Sequence, residues 1–202
     1  MPSSAAVHVK VSIVAVQVFR FDSPDRFVVG TVGEPGDRTF FLQAREDRRL
    51  ASVVLEKEQV SVLAERVDAM LDEIVQRTEG QTEIPVVEDV SEEDLDPLEQ
   101  PIVEEFRVGT LTLAWEGDTQ RVVITAYAAG EPGTEDEEPP DDPEESTRDV
   151  FLVKLTAAEA RSFARRAQAV VAAGRPPCPF CGLALEAEGH ICPRANGYRR
   201  QG

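Results

Sequence analysis

Few residues of this chain can do chemistry alone. Its 202 residues include three cysteines, two histidines and one tryptophan. Basic side chains are outnumbered, 21 against 38 acidic ones, giving a formal net charge of −17. A surplus of that size opposes general binding to a nucleic-acid backbone or an anionic membrane surface. No apolar run reaches the about 18 residues that a membrane span needs. Residues 5–19 are fairly apolar, but His8 and Lys10 interrupt them and no basic segment precedes them, so they do not read as a secretory signal. Residues 7–18 read instead as strand-forming or partly disordered. There is no glycine-rich phosphate loop, nucleophile elbow or H-E-x-x-H motif. His8 reads as incidental, and the carboxylates concentrate in acidic runs that read as solvated surface. These absences weigh against an enzyme. An odd cysteine count confined to one motif fits a reducing, cytoplasmic setting.

That motif is the strongest chemical signal present. Cys178 and Cys181 are spaced C-x2-C, and after eight intervening residues come His190 and Cys192, with one residue between them. Gly182 permits the tight turn that brings two thiolates to one ion, and Glu188-Gly189 offers a second turn for His190 and Cys192. Three thiolates and an imidazole would close a tetrahedron around Zn²⁺ at about 2.3 Å from sulfur and about 2.0–2.1 Å from nitrogen. A site with no open position is structural, since a catalytic zinc keeps a water. The alternatives are a redox C-x-x-C pair or three unrelated thiols. A redox pair belongs at a strand-to-helix junction, whereas this one follows Gly174-Arg-Pro-Pro177 after a helix. Zinc would supply most of the folding free energy of so small a module, about 10–16 kcal/mol in isolated peptides.

Apolar alternation and turn residues predict strands at residues 14–21, 26–32, 38–44 and 50–55, joined by short connections that imply antiparallel pairing. From residue 56 to 77 the period becomes helical, with Val60, Leu63, Ala64, Val67, Met70, Leu71, Ile74 and Val75 on one stripe. Residues 78–105 hold eleven acidic side chains, no basic one and three prolines. They read as an acidic linker, with a buried turn at Leu95-Asp-Pro-Leu98. Strands resume at 106–115, with alternation through Val108, Thr110, Thr112 and Ala114, and again at 121–128. Residues 130–147, with nine acidic residues and four prolines, read as a disordered insertion. A strand at 149–155 leads to a second helix, opened by the capping box Thr156-x-x-Glu159 and ended near Gly174.

The two halves resemble each other. Phe27-Val-Val-Gly-Thr31 matches Phe106-Arg-Val-Gly-Thr110, and each half runs strand, strand, strand, helix. The expected fold is α+β: a duplicated strand-strand-strand-helix unit forming a two-layer antiparallel sheet and helix body with pseudo-two-fold symmetry, plus a C-terminal zinc knuckle. The expected divisions are an N-terminal extension (1–15), a first half (16–77), the acidic linker (78–105), a second half (106–174) containing the 130–147 insertion, and the zinc module (175–202).

Two loop clusters, Asp22, Asp25 and Arg26 with Glu34, Asp37 and Arg38, fall at opposite strand ends. The leading functional reading is a non-enzymatic interaction or adaptor protein with a protein partner. A second is an enzyme or enzyme subunit for a phosphorylated or nucleotide substrate, bound between the halves by Arg26, Arg38, Arg107 or Arg121. A third is nucleic-acid binding through Arg194, Arg199 and Arg200 of the basic tail, which the net charge disfavours.

The stretch Phe19-Arg-Phe-Asp-Ser-Pro-Asp-Arg-Phe-Val-Val-Gly-Thr-Val-Gly-Glu-Pro-Gly36, together with Cys178-Pro-Phe-Cys181 and His190-Ile-Cys-Pro-Arg-Ala-Asn-Gly-Tyr-Arg-Arg200, resembles an actinobacterial domain-of-unknown-function family. The likeness spans about residues 16–200. It implies a domain beginning near Val16, and co-occurrence with a phosphoglycerate-mutase-like and a phosphoinositide-kinase-like protein. It implies no established activity.

Overall fold

The computed structural model describes residues 15–34, 36–77, 94, 96–130, 139–140, 142–174, 180 and 192. Among them are β1 (Val18–Phe21), β2 (Arg26–Val32), β3 (Thr39–Glu46), β4 (Arg49–Leu55), α1 (Lys57–Arg77), β5 (Glu104–Glu116), β6 (Arg121–Ala128), β7 (Val150–Thr156) and α2 (Ala157–Ala172). The fold is mixed α and β. The strands form one sheet in the order β1-β7-β6-β5-β4-β3-β2.

Within β2–β4 and within β5–β7, neighbours are antiparallel, as their short connections require. Two pairs are parallel, β4 with β5 at the centre and β1 with β7 at an edge, so the expected antiparallel sheet is corrected to a mixed one. The reason is connection length. A whole helix and a long segment separate β4 from β5, which is the span a parallel crossover needs. The expected two-fold is also corrected. A two-fold normal to the sheet would set β4 and β5 antiparallel, whereas they pair in parallel, so the two strand trios stand side by side in the same sense.

Only residues 22–25 separate β1 from β2, yet these strands are the opposite edges of the sheet. Five residue steps reach at most about 18 Å, so the edges must come close together. Twist makes this possible. Six steps of about −20 to −25° turn β2 through roughly 120–150° relative to β1. The rings confirm the closure: Phe21 and Phe27 both lie against Phe151 of β7, with centroids 5.5 and 6.5 Å away. Helix α2 packs against both β7 and β2. Its Phe163 ring is 4.6 Å from that of Phe27.

The concave face carries the main core. Val29, Leu42 and Val53 form one cross-strand row, and Ile124 and Val153 another, all fully buried with Val60, Val67 and Leu71 of α1 and Ala160, Ala164 and Ala167 of α2. The helices are also joined by an ion pair: Arg161 of α2 reaches Asp68 at 3.0 Å and Asp72 at 2.6 Å. β5 changes face parity at an irregularity between Val108 and Thr110. Phe106 and Val108 face the core before it, and Leu111, Leu113 and Trp115 after it, so the expected Val108-Thr110-Thr112-Ala114 face is corrected. Gly109 sits at this step because a Cβ there would lie 2.8 Å from Ala129 Cα.

The convex face is not bare, which a simple two-layer body would leave it. Val28, Phe41 and Val54 are covered by Leu98 and Ile102, and Tyr127, Val150 and Leu152 form a separate buried group. Burial on both faces explains the unbroken apolar runs of β2, β3 and β4. Within the expected insertion, Pro143–Glu145 makes a 3-10 turn whose N-cap, Asp142, accepts from the Glu144 N–H. The expected capping box is present, with Thr156 Oγ1 accepting from the Glu159 N–H at 3.2 Å and Glu159 Oε2 accepting from the Thr156 N–H at 2.7 Å.

Two substitutions test this packing by thermal and urea unfolding. Leu71→Ala, at a site with 0 % exposure, should cost about 2–5 kcal/mol. Thr156→Ala should cost about 1 kcal/mol through the lost cap. A Leu71→Ala cost below that of Thr156→Ala would contradict the core assignment.

Candidate functional site

The densest polar constellation lies on the convex face of β2–β4. Its base is set by strand register. Arg26 pairs across the ladder with Arg45, Val28 with Gln43, and Gly30 with Phe41. Gln43 in turn faces Ser52, and Phe41 faces Val54. The surface therefore runs from two arginines, through a buried carboxamide, to an apolar hollow over a glycine.

Residues 94 and 96–102 lie across this surface. Leu98 enters the hollow; a Cβ on Gly30 would stand 2.6 Å from its Cγ. Gln43, 2 % exposed, treats Glu99 as one amide treats another. Its Nε2 donates to the Glu99 carbonyl at 3.1 Å, and its Oε1 accepts from the Glu99 N–H at 2.8 Å. The same Nε2 donates to Ser52 Oγ at 3.0 Å, which fixes the carboxamide's orientation.

Arg26 donates to both Asp94 carboxylate oxygens, at 2.5 and 2.9 Å, and to the carbonyls of Asp96 and Pro97 at 2.9 and 3.1 Å. Arg166 enters from α2. Its Nε donates to the Val29 carbonyl at 2.8 Å, and its remaining nitrogens take the Asp94 carbonyl and carboxylate and, at 2.6 Å, the Asp96 carbonyl. Arg45 joins Glu99 at 3.0 Å and Asp25 at 2.9 Å. The guanidinium of Arg26 holds the Asp94 carboxyl below the usual carboxylate range. Arg26 is raised by the same bond, whereas burial lowers Arg166 despite Asp94 beside it. Both arginines stay protonated at neutral pH. Neither they nor Asp94 is poised to exchange a proton near neutrality; the cluster binds and positions.

The other expected arginines are not brought together here. Arg38 precedes β3, at the opposite end of the β2–β3 hairpin from Arg26; it donates to the Val170 carbonyl at 3.3 Å and lies over the Phe40 ring. Arg107 pairs with Glu56 at 2.7 Å, and Arg121 with Glu159 at 3.9 Å. Cys178, Cys181, His190, Arg194, Arg199 and Arg200 lie outside the described residues. Of the C-terminal motif, Cys192 is buried at 8 % exposure and Phe180 is 64 % exposed. Among the described residues, no three or more metal-ligating side chains stand together. No helix among them is long and apolar enough to cross a membrane.

Sequence reasoning missed Arg166, Asp94, Gln43 and Arg45, and gave Leu98 only as part of a buried turn; it is buried, at 7 % exposure. Two local signals pointed to this surface: a glutamine within the apolar run Thr39-Phe-Phe-Leu-Gln-Ala44, and a glycine inside β2. A buried strand glutamine needs partners, and a strand glycine marks a close approach.

Because Asp94 has a depressed folded pKa, the folded state binds fewer protons than the unfolded one as pH falls through the carboxylate range. Its stabilisation is complete above the unfolded value of about 3.9 and is lost as pH drops through the lower folded value. Thermal unfolding against pH should therefore fall less steeply below pH ~4 in Asp94→Asn than in wild type. Parallel curves would remove Asp94 from the stabilising network.

Comparison with known proteins found no match among curated proteins and none among solved structures. A family model described as "Protein of unknown function (DUF3090)" matches residues 19–192, and the chain belongs to that family.

Proposed function

We propose that this protein is a non-enzymatic interaction module, carrying a structural zinc held by Cys178, Cys181, His190 and Cys192. The observation that carries the interaction reading is the employment of the described arginines. Arg26, Arg38, Arg107 and Arg121 each bind an internal carboxylate or carbonyl, and Arg26 and Arg38 stand at opposite ends of one hairpin. The phosphorylated-substrate alternative needs them convergent and available.

The C-x2-C and H-x-C spacing supports the metal reading. Burial of Cys192 is consistent with a ligand position. We also read the body as a duplicated unit. Gly30 and Gly109 occupy the same place in the matching Phe-x-Val-Gly-Thr segments, and each admits covering chain, Leu98 over one and Ala129 over the other.

Native mass spectrometry of protein purified without added metal should show one zinc per chain, lost on chelation and absent from Cys178→Ser. Metal-free protein with two reactive thiols at Cys178 and Cys181 would instead favour redox chemistry. Affinity capture from native lysate with the tagged full chain should return a stoichiometric protein partner. Turnover of a phosphorylated compound, with no partner captured, would reverse the reading.

A further inference from the structure

The covering segment lies on the sheet without joining any of its ladders. Among the described residues, no backbone–backbone hydrogen bond ties residue 94 or 96–102 to another element. Side chains alone hold it, from Gln43, Arg26, Arg166 and Arg45. Its removal would leave every ladder of the sheet intact.

The mode of attachment is that of a bound peptide. Fixed side chains satisfy main-chain groups at Asp94, Asp96, Pro97 and Glu99. One apolar anchor, Leu98, fills a hollow among Val28, Phe41 and Val54. Arginines take the acidic side chains at both ends, Asp94 and Glu99. Peptide-recognition grooves divide the work in this way, with the backbone giving affinity and one or two pockets giving specificity. Charge points to the same ligand. On a chain of net charge −17, Arg26, Arg45 and Arg166 gather on one face and select an acidic segment. An empty groove would expose the apolar hollow of Val28, Phe41 and Val54 to water and cost Gln43 its two bonds to Glu99. Exchange of one segment for another avoids that penalty.

We propose that the convex face of β2–β4 is a recognition groove for an extended acidic peptide with an anchoring leucine. The chain's own residues 94 and 96–102 fill it here, and a partner protein presents a segment of the same chemistry in their place. This deepens the interaction reading above and rests on it.

A tethered segment competes at an effective concentration on the order of millimolar, so weakening it should expose the groove. A fluorescein-labelled peptide of residues 94–102 would be titrated into the full chain and followed by anisotropy. Leu98→Ala protein should bind it at least tenfold more tightly than wild type. A peptide with alanine in place of its anchoring leucine should lose at least tenfold, and Gln43→Ala added to Leu98→Ala should abolish binding. Should Leu98→Ala not fold, Asp94→Asn takes its place with the same expectations. A folded variant that binds the peptide no better than wild type, or no better than a scrambled peptide, overturns the proposal. A captured partner still held by the Gln43→Ala chain overturns the groove while leaving the interaction reading standing. A partner that the Gln43→Ala chain loses, and that the free peptide displaces from wild type, supports both.

Discussion

Residues 22–25 tie the first strand of the sheet to the last in spatial order, and much of the architecture follows from that tether. A flat sheet of this strand order would hold β1 and β2 several strand widths apart. Accumulated twist is what lets so short a turn connect them. The twist creates a concave face deep enough to receive two helices, and α2 lies along the seam where the edges approach. Its Phe163 packs on Phe27, and its Arg166 satisfies the Val29 carbonyl on the sheet's edge strand. Covering an edge with a helix and a guanidinium also removes a ready site for edge-to-edge aggregation.

Arginine is the fastener of this molecule. The strongly acidic chain keeps a few of its arginines largely buried, where planar guanidinium groups join elements far apart in sequence. Arg161 links α2 to α1, Arg166 links α2 to β2 and to residue 94, and Arg45 links β3 to both Asp25 and Glu99. A lysine could not replace them, since each holds two or more acceptors in a fixed plane. The acidic excess is thus left to the outer surface, and the network resists acid only while its carboxylates stay ionised.

Local patterns carried most of the secondary structure. The helical stripe from Val60 to Leu71, the Thr156–Glu159 capping box and the strands of both meanders were legible, with differences of a few residues at their ends. Information that is not local was hidden. Nothing within β4 or β5 announces that they pair in parallel, and nothing in residues 18–21 announces a partner near residue 150. The parity change at Gly109 hides behind a threonine-rich alternation that reads equally well on either face. The candidate surface was less legible than the fold. Its acidic segment has the composition of a linker, and it is ordered by Gln43, Arg26 and Arg166, residues that stand elsewhere in the sequence.

The pairing of β1 also bears on how the protein is made. Its ladder partner, β7, lies about 130 residues further along, with Val18 opposite Val150. At 5–20 residues per second, a ribosome takes on the order of ten seconds to cover that distance. Through that time Phe19 and Phe21 belong to a nascent strand with nothing to pair with, while β2, β3 and β4 can already pair with one another. Closure of the seam must therefore come last in biosynthesis, and a truncated translation product would leave the ribosome with an open sheet and an unpaired aromatic strand.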